Sequence, residues 1–190
     1  MAFDFYTGEE QKIVFEIKKW SEESLETSNK NFNGLAACPK AKNAWKEDKV
    51  GFVFKNAPDY QDLYTVVSCY PSNFDMVIVV DTCFKEEAKD FHTFISGFNE
   101  AIGEGMFINR NAWVVGFHPD DGGNALLKSS LFPTSTSKEY AVMLVQPLSL
   151  LQETSEKIEP LGYYKGYEDE YNADSILQNR KDLYRRLIGD

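Results

Sequence analysis

Apolar residues recur along this chain at spacings that switch between helical and extended, and the switches mark out its elements. Thr7-Gly8-Glu9-Glu10 has the spacing of a capping box, in which Thr7 and Glu10 each accept a backbone N–H at a helix start. Ile13, Val14, Ile17 and Trp20 follow at helical steps and predict a first helix running out near Ser28. From Asn29 to Asp48 no period is visible. The stretch reads as a loop with one short helical turn, pinned to the core by Phe32, Leu35 and Trp45.

Val50 to Phe54 is a short β-rich run ended by Asn56 and Pro58, and Pro58 suits the first turn of a helix. Tyr60, Leu63, Tyr64 and Val67 stand at i, i+3, i+4 and i+7, which predicts a helix that stops before Pro71. Met76 to Val80 is continuously apolar and rich in β-branched residues, the pattern of a central strand covered on both faces. Asp81-Thr82 can then cap a helix on which Phe84, Ala88, Phe91, Ile95, Phe98 and Ile102 alternate steps of four and three, ended by Gly103 or Gly105. Trp113 to Phe117 and Tyr140 to Val145 read as a third and a fourth strand, separated by the unpatterned stretch from His118 to Lys138. Ser149 and Gln152 repeat the capping-box spacing before a helix that stops at Pro160. Leu161 to Tyr171 is aromatic, acidic and glycine-punctuated, and reads as a connector. Beyond it Ile176, Leu177, Leu183, Tyr184, Leu187 and Ile188 share one side of a last helix, which docks on its own domain or serves as a partner-binding arm.

This order predicts an α+β fold: one domain over 1–160, with a mixed, mostly parallel sheet of about four strands covered by helices. An acidic, tyrosine-rich connector and a C-terminal amphipathic helical arm occupy 161–190. From Val50 to Phe117 the order is strand, helix, strand, helix, strand, and crossover helices usually join parallel strands. The three carboxyl ends would then share one edge, carrying Asn56, Asp81 and His118. Ligands tend to bind outside such an edge, and a helix starting just after Asp81 would add a positive dipole end there. The stretch from His118 to Lys138 starts at that edge and is longer than most structureless loops, so it is a candidate lid or ligand loop.

Composition narrows the partners. The 190 residues are 43% hydrophobic and 26% charged, which excludes a wholly disordered chain. The net charge of −10 opposes unaided binding of phosphates, so no nucleic-acid partner is expected, and small molecules or cationic partners fit better. The start has no basic segment followed by an apolar one, and no apolar run approaches membrane-spanning length, so no membrane partner and a cytoplasmic location are expected. Cys38, Cys69 and Cys83 are three widely spaced cysteines, read as reduced thiols. With two histidines, no CxxC pair, no glycine-rich phosphate loop and no Gly-x-Ser-x-Gly elbow, no metal site is expected and no cofactor can be specified.

The residues that remain suggest two kinds of protein. In Cys38-Pro39-Lys40-Ala41-Lys42, two lysines beside a thiol would favour its thiolate. His118, followed by Asp120 and Asp121, could act as a general base. The first reading is a small-molecule enzyme or ligand-binding domain with Cys38, His118, Asp120 and Asp81 as catalytic residues, and Lys40, Asn56, Thr82, Asp121 and Asn124 lining the ligand. It requires the segment after Cys38 to cross the sheet, because Cys38 enters from the amino end. Cys69, Cys83 and His92 read as packing residues. The rival reading is a non-catalytic interaction protein that uses its acidic surface and residues 161–190.

Several strings, taken in order, resemble an uncharacterised family known as domain of unknown function 1415. They are Gly34-Leu35 with Cys38-Pro39-Lys40-Ala41, then Phe117-His118-Pro119, Ser130-Leu131-Phe132-Pro133-Thr134 and Leu144-Val145-Gln146. The resemblance spans roughly Trp20 to Ile158. This chain departs from the pattern where Ala36-Ala37 precede Cys38, where Lys40 replaces an aromatic residue, where Leu131 replaces a proline and where Val145-Gln146 stand for Arg-Glu. If that arginine binds an anion in the family, this chain has lost the group that does so. The resemblance implies importance for Cys38, His118 and Pro133 and names no reaction.

Overall fold

The computed structural model describes residues 6–122, 139–167 and 173–189. Four strands form one sheet in the order β1-β2-β4-β3: β1 (Val50–Lys55), β2 (Met76–Asp81), β3 (Trp113–Phe117) and β4 (Ala141–Gln146). β1 pairs parallel with β2, while β4 pairs antiparallel with both β2 and β3. The sheet is therefore mixed, with one parallel pairing of three, and is not mostly parallel. Burial explains the difference. Ala141 to Val145 are buried on both faces, so β4 takes an interior slot, while the half-exposed β3 is left at the edge. Because β4 runs against both neighbours, β3 still runs the same way as β1 and β2, and the carboxyl ends of all three gather at one edge.

Alternation along the strands gives the sheet two apolar faces. On one face α3 (Gln61–Ser68) and α4 (Ala88–Glu104) bury Leu63, Val67, Phe91 and Ile95 against Val77, Val79, Val114 and Met143. On the other, α1 (Gly8–Trp20) and α2 (Ala41–Lys46) bury Ile13, Ile17 and Trp45 against Ile78, Val80 and Val142. The capping box at Thr7 and Glu10 is present, and α1 ends at Trp20, where the chain continues as one π-helical turn, Ser21–Leu25.

Two predicted helix starts are displaced. α4 begins at Ala88 rather than after Asp81-Thr82, because the Asp81 carboxylate accepts the Cys83 N–H in a tight turn and pairs with a lysine, leaving 82–87 as a loop. α5 (Leu148–Ile158) follows Pro147 and has no capping box. The Ser149 N–H donates to Asn111 Oδ1 at 2.9 Å, so a side chain from the approach to β3 caps it from outside. The last helix, α6 (Ala173–Ile188), lies against α5 and α4: Leu177 is buried, and Arg180 donates to Ser155 Oγ and Tyr164 Oη.

Gly103 in α4 marks the point where α6 closes on the domain, since a Cβ there would overlap Leu183. Gly103→Ala is expected to lower stability by about 1–3 kcal/mol through overpacking, despite the better helix propensity of alanine. Chemical denaturation monitored by circular dichroism measures it, and a stabilised variant would show that α6 does not dock there.

Candidate functional site

At the shared carboxyl edge, on the α3 and α4 face, two adjacent parallel strands end in opposite charges. Lys55 and Asp81 are Cα partners in register and point the same way as Val53 and Val79. Their side chains meet at 2.5 Å with 1% and 0% exposure. Asp81 accepts the Lys55 ammonium on Oδ2 and the Cys83 N–H on Oδ1. The same ammonium sits 4.4 Å from the centre of the Tyr60 ring, a cation–π contact, and 3.5 Å from the Pro58 carbonyl. Buried charges persist only when paired in this way.

Tyr60 introduces the exception. Its ring stacks on Phe94 with centroids 3.9 Å apart, but its hydroxyl is buried and makes no hydrogen bond of ordinary geometry. Burial raises its pKa, as do the nearby charges of Glu86 and Asp81 and its contact with the Glu86 carboxylate, so the hydroxyl stays protonated. Burial works to raise the Glu86 pKa too, but the backbone N–H groups of Lys85 and Glu86, the Lys55 ammonium and the Tyr60 hydroxyl outweigh it and bring it below the ordinary carboxylate value. The edge therefore presents a neutral phenol beside an ionised carboxylate, next to a closed ion pair.

His118 holds the loop that carries Glu86. Its Nε2 lies 3.0 Å from the Glu86 carbonyl and its Nδ1 accepts the Asp120 N–H at 3.1 Å. A carbonyl only accepts and an amide only donates, so the ring is the neutral tautomer with hydrogen on Nε2. It is 1% exposed and packed edge-on to Phe84. Both nitrogens are engaged, so the imidazole positions the loop and has no nitrogen left to serve as a base in this arrangement. Asp121 extends the support: Oδ2 accepts the His118 N–H, and Oδ1 lies 2.8 Å from Nε2 of His92.

The other predicted site residues divide by face. Asp81, Thr82, Asn56, Asp120 and Asp121 lie at the carboxyl edge with His118, with Asn56, Thr82 and Asp120 exposed. Asn124 lies outside the described residues, as does most of the stretch considered as a lid. Cys38 does not join them. It sits on the opposite face of the sheet against a cluster of Trp20, Leu25, Phe32, Ala41 and Tyr163, with Lys40 exposed beside it. Burial pushes the Cys38 thiol up, outweighing the N–H groups of Lys40 and Ala41, and Glu26 adds to the rise. The lysines expected to favour its thiolate reach into water, so the basis for a reactive Cys38 disappears. Tyr163, Tyr164 and Tyr167 are packed as well: Tyr163 donates to the Ala37 carbonyl and stacks on Phe32.

Lys55, Tyr60 and Glu86 were missed. Lys55 carried a readable signal, because Val-Gly-Phe-Val-Phe-Lys and Met-Val-Ile-Val-Val-Asp are apolar runs that each end in one charge of opposite sign. Tyr60 looked like one more apolar helix position, and Glu86 fell in what the pattern predicted as helix. Among the described residues no three His, Cys, Asp or Glu side chains are grouped to hold a metal. The chain matches no family model, and neither curated proteins nor solved structures provide a match.

Removing one partner of a buried pair leaves an uncompensated charge, so Lys55→Met or Asp81→Asn should each lose about 3–5 kcal/mol of stability. The double variant Lys55→Met/Asp81→Leu should lose less than either, a non-additivity read from urea denaturation. Stability should also fall as the pH rises above about 10. Tyr60, Tyr70 and Tyr163 have raised pKa values, and Tyr167 is pushed up to about 12, chiefly by burial. The unfolded chain then loses protons that the folded one keeps, which favours unfolding. Tyrosinate absorbance should show these residues titrating together with unfolding, whereas free titration near pH 10 in a folded chain would contradict their burial.

Proposed function

We propose that this chain binds a small polar molecule at the carboxyl edge of β1, β2 and β3, on the α4 face. The observation that carries the reading is the buried Tyr60 hydroxyl, which makes no hydrogen bond of ordinary geometry and lies against the Glu86 carboxylate beside Lys55 and Asp81. A buried hydroxyl without a well-formed hydrogen bond costs about 1–3 kcal/mol, and native structures seldom keep one unless water or a ligand completes it. Lys55 is closed off by Asp81, so the groups left for a ligand are the phenol and the Glu86 carboxylate. They suit a neutral or cationic molecule with an amine or hydroxyl donor, in keeping with a net charge of −10. If chemistry occurs at this site, Tyr60 and Glu86 are the proton-carrying groups in reach, with His118 and Asp121 as positioning residues. The resemblance to the family of unknown function 1415 supports the same place, since its Phe117-His118-Pro119 string supplies the histidine that fastens the Glu86 loop.

The reading distinguishes a binding hydroxyl from a structural one. Tyr60→Phe retains the stack on Phe94 and the face toward Lys55, so stability without ligand should be unchanged or up by about 1 kcal/mol. In a thermal-shift screen of amino acids, polyamines and polyols, hits on the native chain should vanish in both Tyr60→Phe and Glu86→Gln. A Tyr60→Phe variant that is clearly destabilised, or that keeps the same hits, would reject the assignment.

A further inference from the structure

An open groove of about 800 Å³ runs along the solvent side of α4, apart from the carboxyl-edge cluster. Phe94, Gly97 and Phe98 form its floor, and Tyr64 with Met106 and Phe107 form its walls. The rings are organised: Tyr64 lies nearly parallel to Phe98 at 5.5 Å, and Phe107 packs on Phe98 at 4.9 Å. Two of its large apolar lining residues are exposed, Met106 at 74% and Tyr64 at 39%. A contiguous apolar surface of this kind marks an interaction site more often than scattered exposed residues do.

Gly97 supplies a second, independent observation. Glycine in the middle of a helix weakens it, so its presence needs a reason. Elsewhere the packing gives one, since a Cβ at Gly103 would overlap Leu183 and one at Gly116 would press on Phe91 and Ile95. At Gly97 a Cβ would meet nothing within 4 Å. The fold does not require this glycine, and its effect is to deepen the groove at mid-length.

We infer that the groove receives an amphipathic, basic helical segment of a partner polypeptide. Its openness argues for a polypeptide, because small ligands usually bury most of their surface in an enclosed pocket. Its length fits too: from Asp90 to Ala101 the helix rises about 16 Å, or three turns, which suits anchors at i, i+3 or i+4 and i+7. Charge selects the basic flank. Asp90 lines the groove, while Glu100 and Glu104, at steps of three and seven from Gly97, expose carboxylates on the same side of α4. A second copy of this chain would set those carboxylates against their own kind, which disfavours it as the occupant.

The test uses the full chain and a fluorescein-labelled peptide of leucine and lysine, with leucines at i, i+3, i+4 and i+7, followed by fluorescence anisotropy. Saturable binding is expected for this peptide and not for the same pattern with glutamate in place of lysine. Gly97→Leu fills the floor without touching the core, so it should melt no lower than the native chain and bind at least tenfold more weakly. Met106→Lys, at an exposed position, should weaken binding in the same direction. Equal binding by the native chain and both variants would reduce the effect to attraction by an acidic surface and overturn the inference. Absence of binding would also overturn it, as would sedimentation showing a dimer of the native chain that Gly97→Leu dissolves.

Discussion

A strand buried from end to end can finish in a carboxylate only if a cation is brought to it. All six residues of β2 are buried, and the last is Asp81. The charge is tolerable because parallel register places Lys55 beside it, at the end of the neighbouring strand. Slipping that register by one residue would turn Lys55 to the other face and strand both charges, so the pair specifies the alignment of β1 on β2. Other features at this edge follow. The Asp81 turn delays the start of α4, the delay leaves the loop 82–87, and that loop delivers Glu86 to Tyr60 and to the imidazole of His118.

Tyr60 joins the two surfaces for which binding is proposed. One side of its ring faces the Lys55 ammonium, and it stacks on Phe94, which belongs to the floor of the outer groove. An occupant of the groove that shifted Phe94 would therefore move the phenol whose buried hydroxyl lies at the carboxyl edge. Such a link is short and made of packed rings, a stiffer connection than one running through loops. The opposite face of the sheet is built differently. There Cys38, Tyr163 and Trp20 belong to a largely aromatic cluster that fastens the segment before β1 to the segment after α5.

Much of the architecture was legible in the sequence because it rests on local periodicity. The capping box at Thr7, the stripe from Phe91 to Ile102, the two-sided burial of Met76 to Val80 and the common direction of β1, β2 and β3 each follow from spacing and element order. That His118, Asp81 and Asp121 share one edge was legible in the same way, because it follows from the common direction of their strands. The chemistry of that edge was not. Cys38 drew notice through adjacent lysines, but adjacency says nothing about whether a side chain points into water or against Phe32 and Tyr163.

By itself, then, the sequence determined which segments become helices and strands, that β2 lies inside the sheet, and that polar residues cluster at the ends of three strands. It did so because periodicity and capping act over a few residues. Only the tertiary structure decided that β4 would enter between β2 and β3, that Asn111 rather than Ser149 would cap α5, and that Lys55 would meet Asp81 while Cys38 stayed on the far face. Those outcomes depend on strand register and on which face a side chain occupies, and both are settled by packing between segments far apart in the chain.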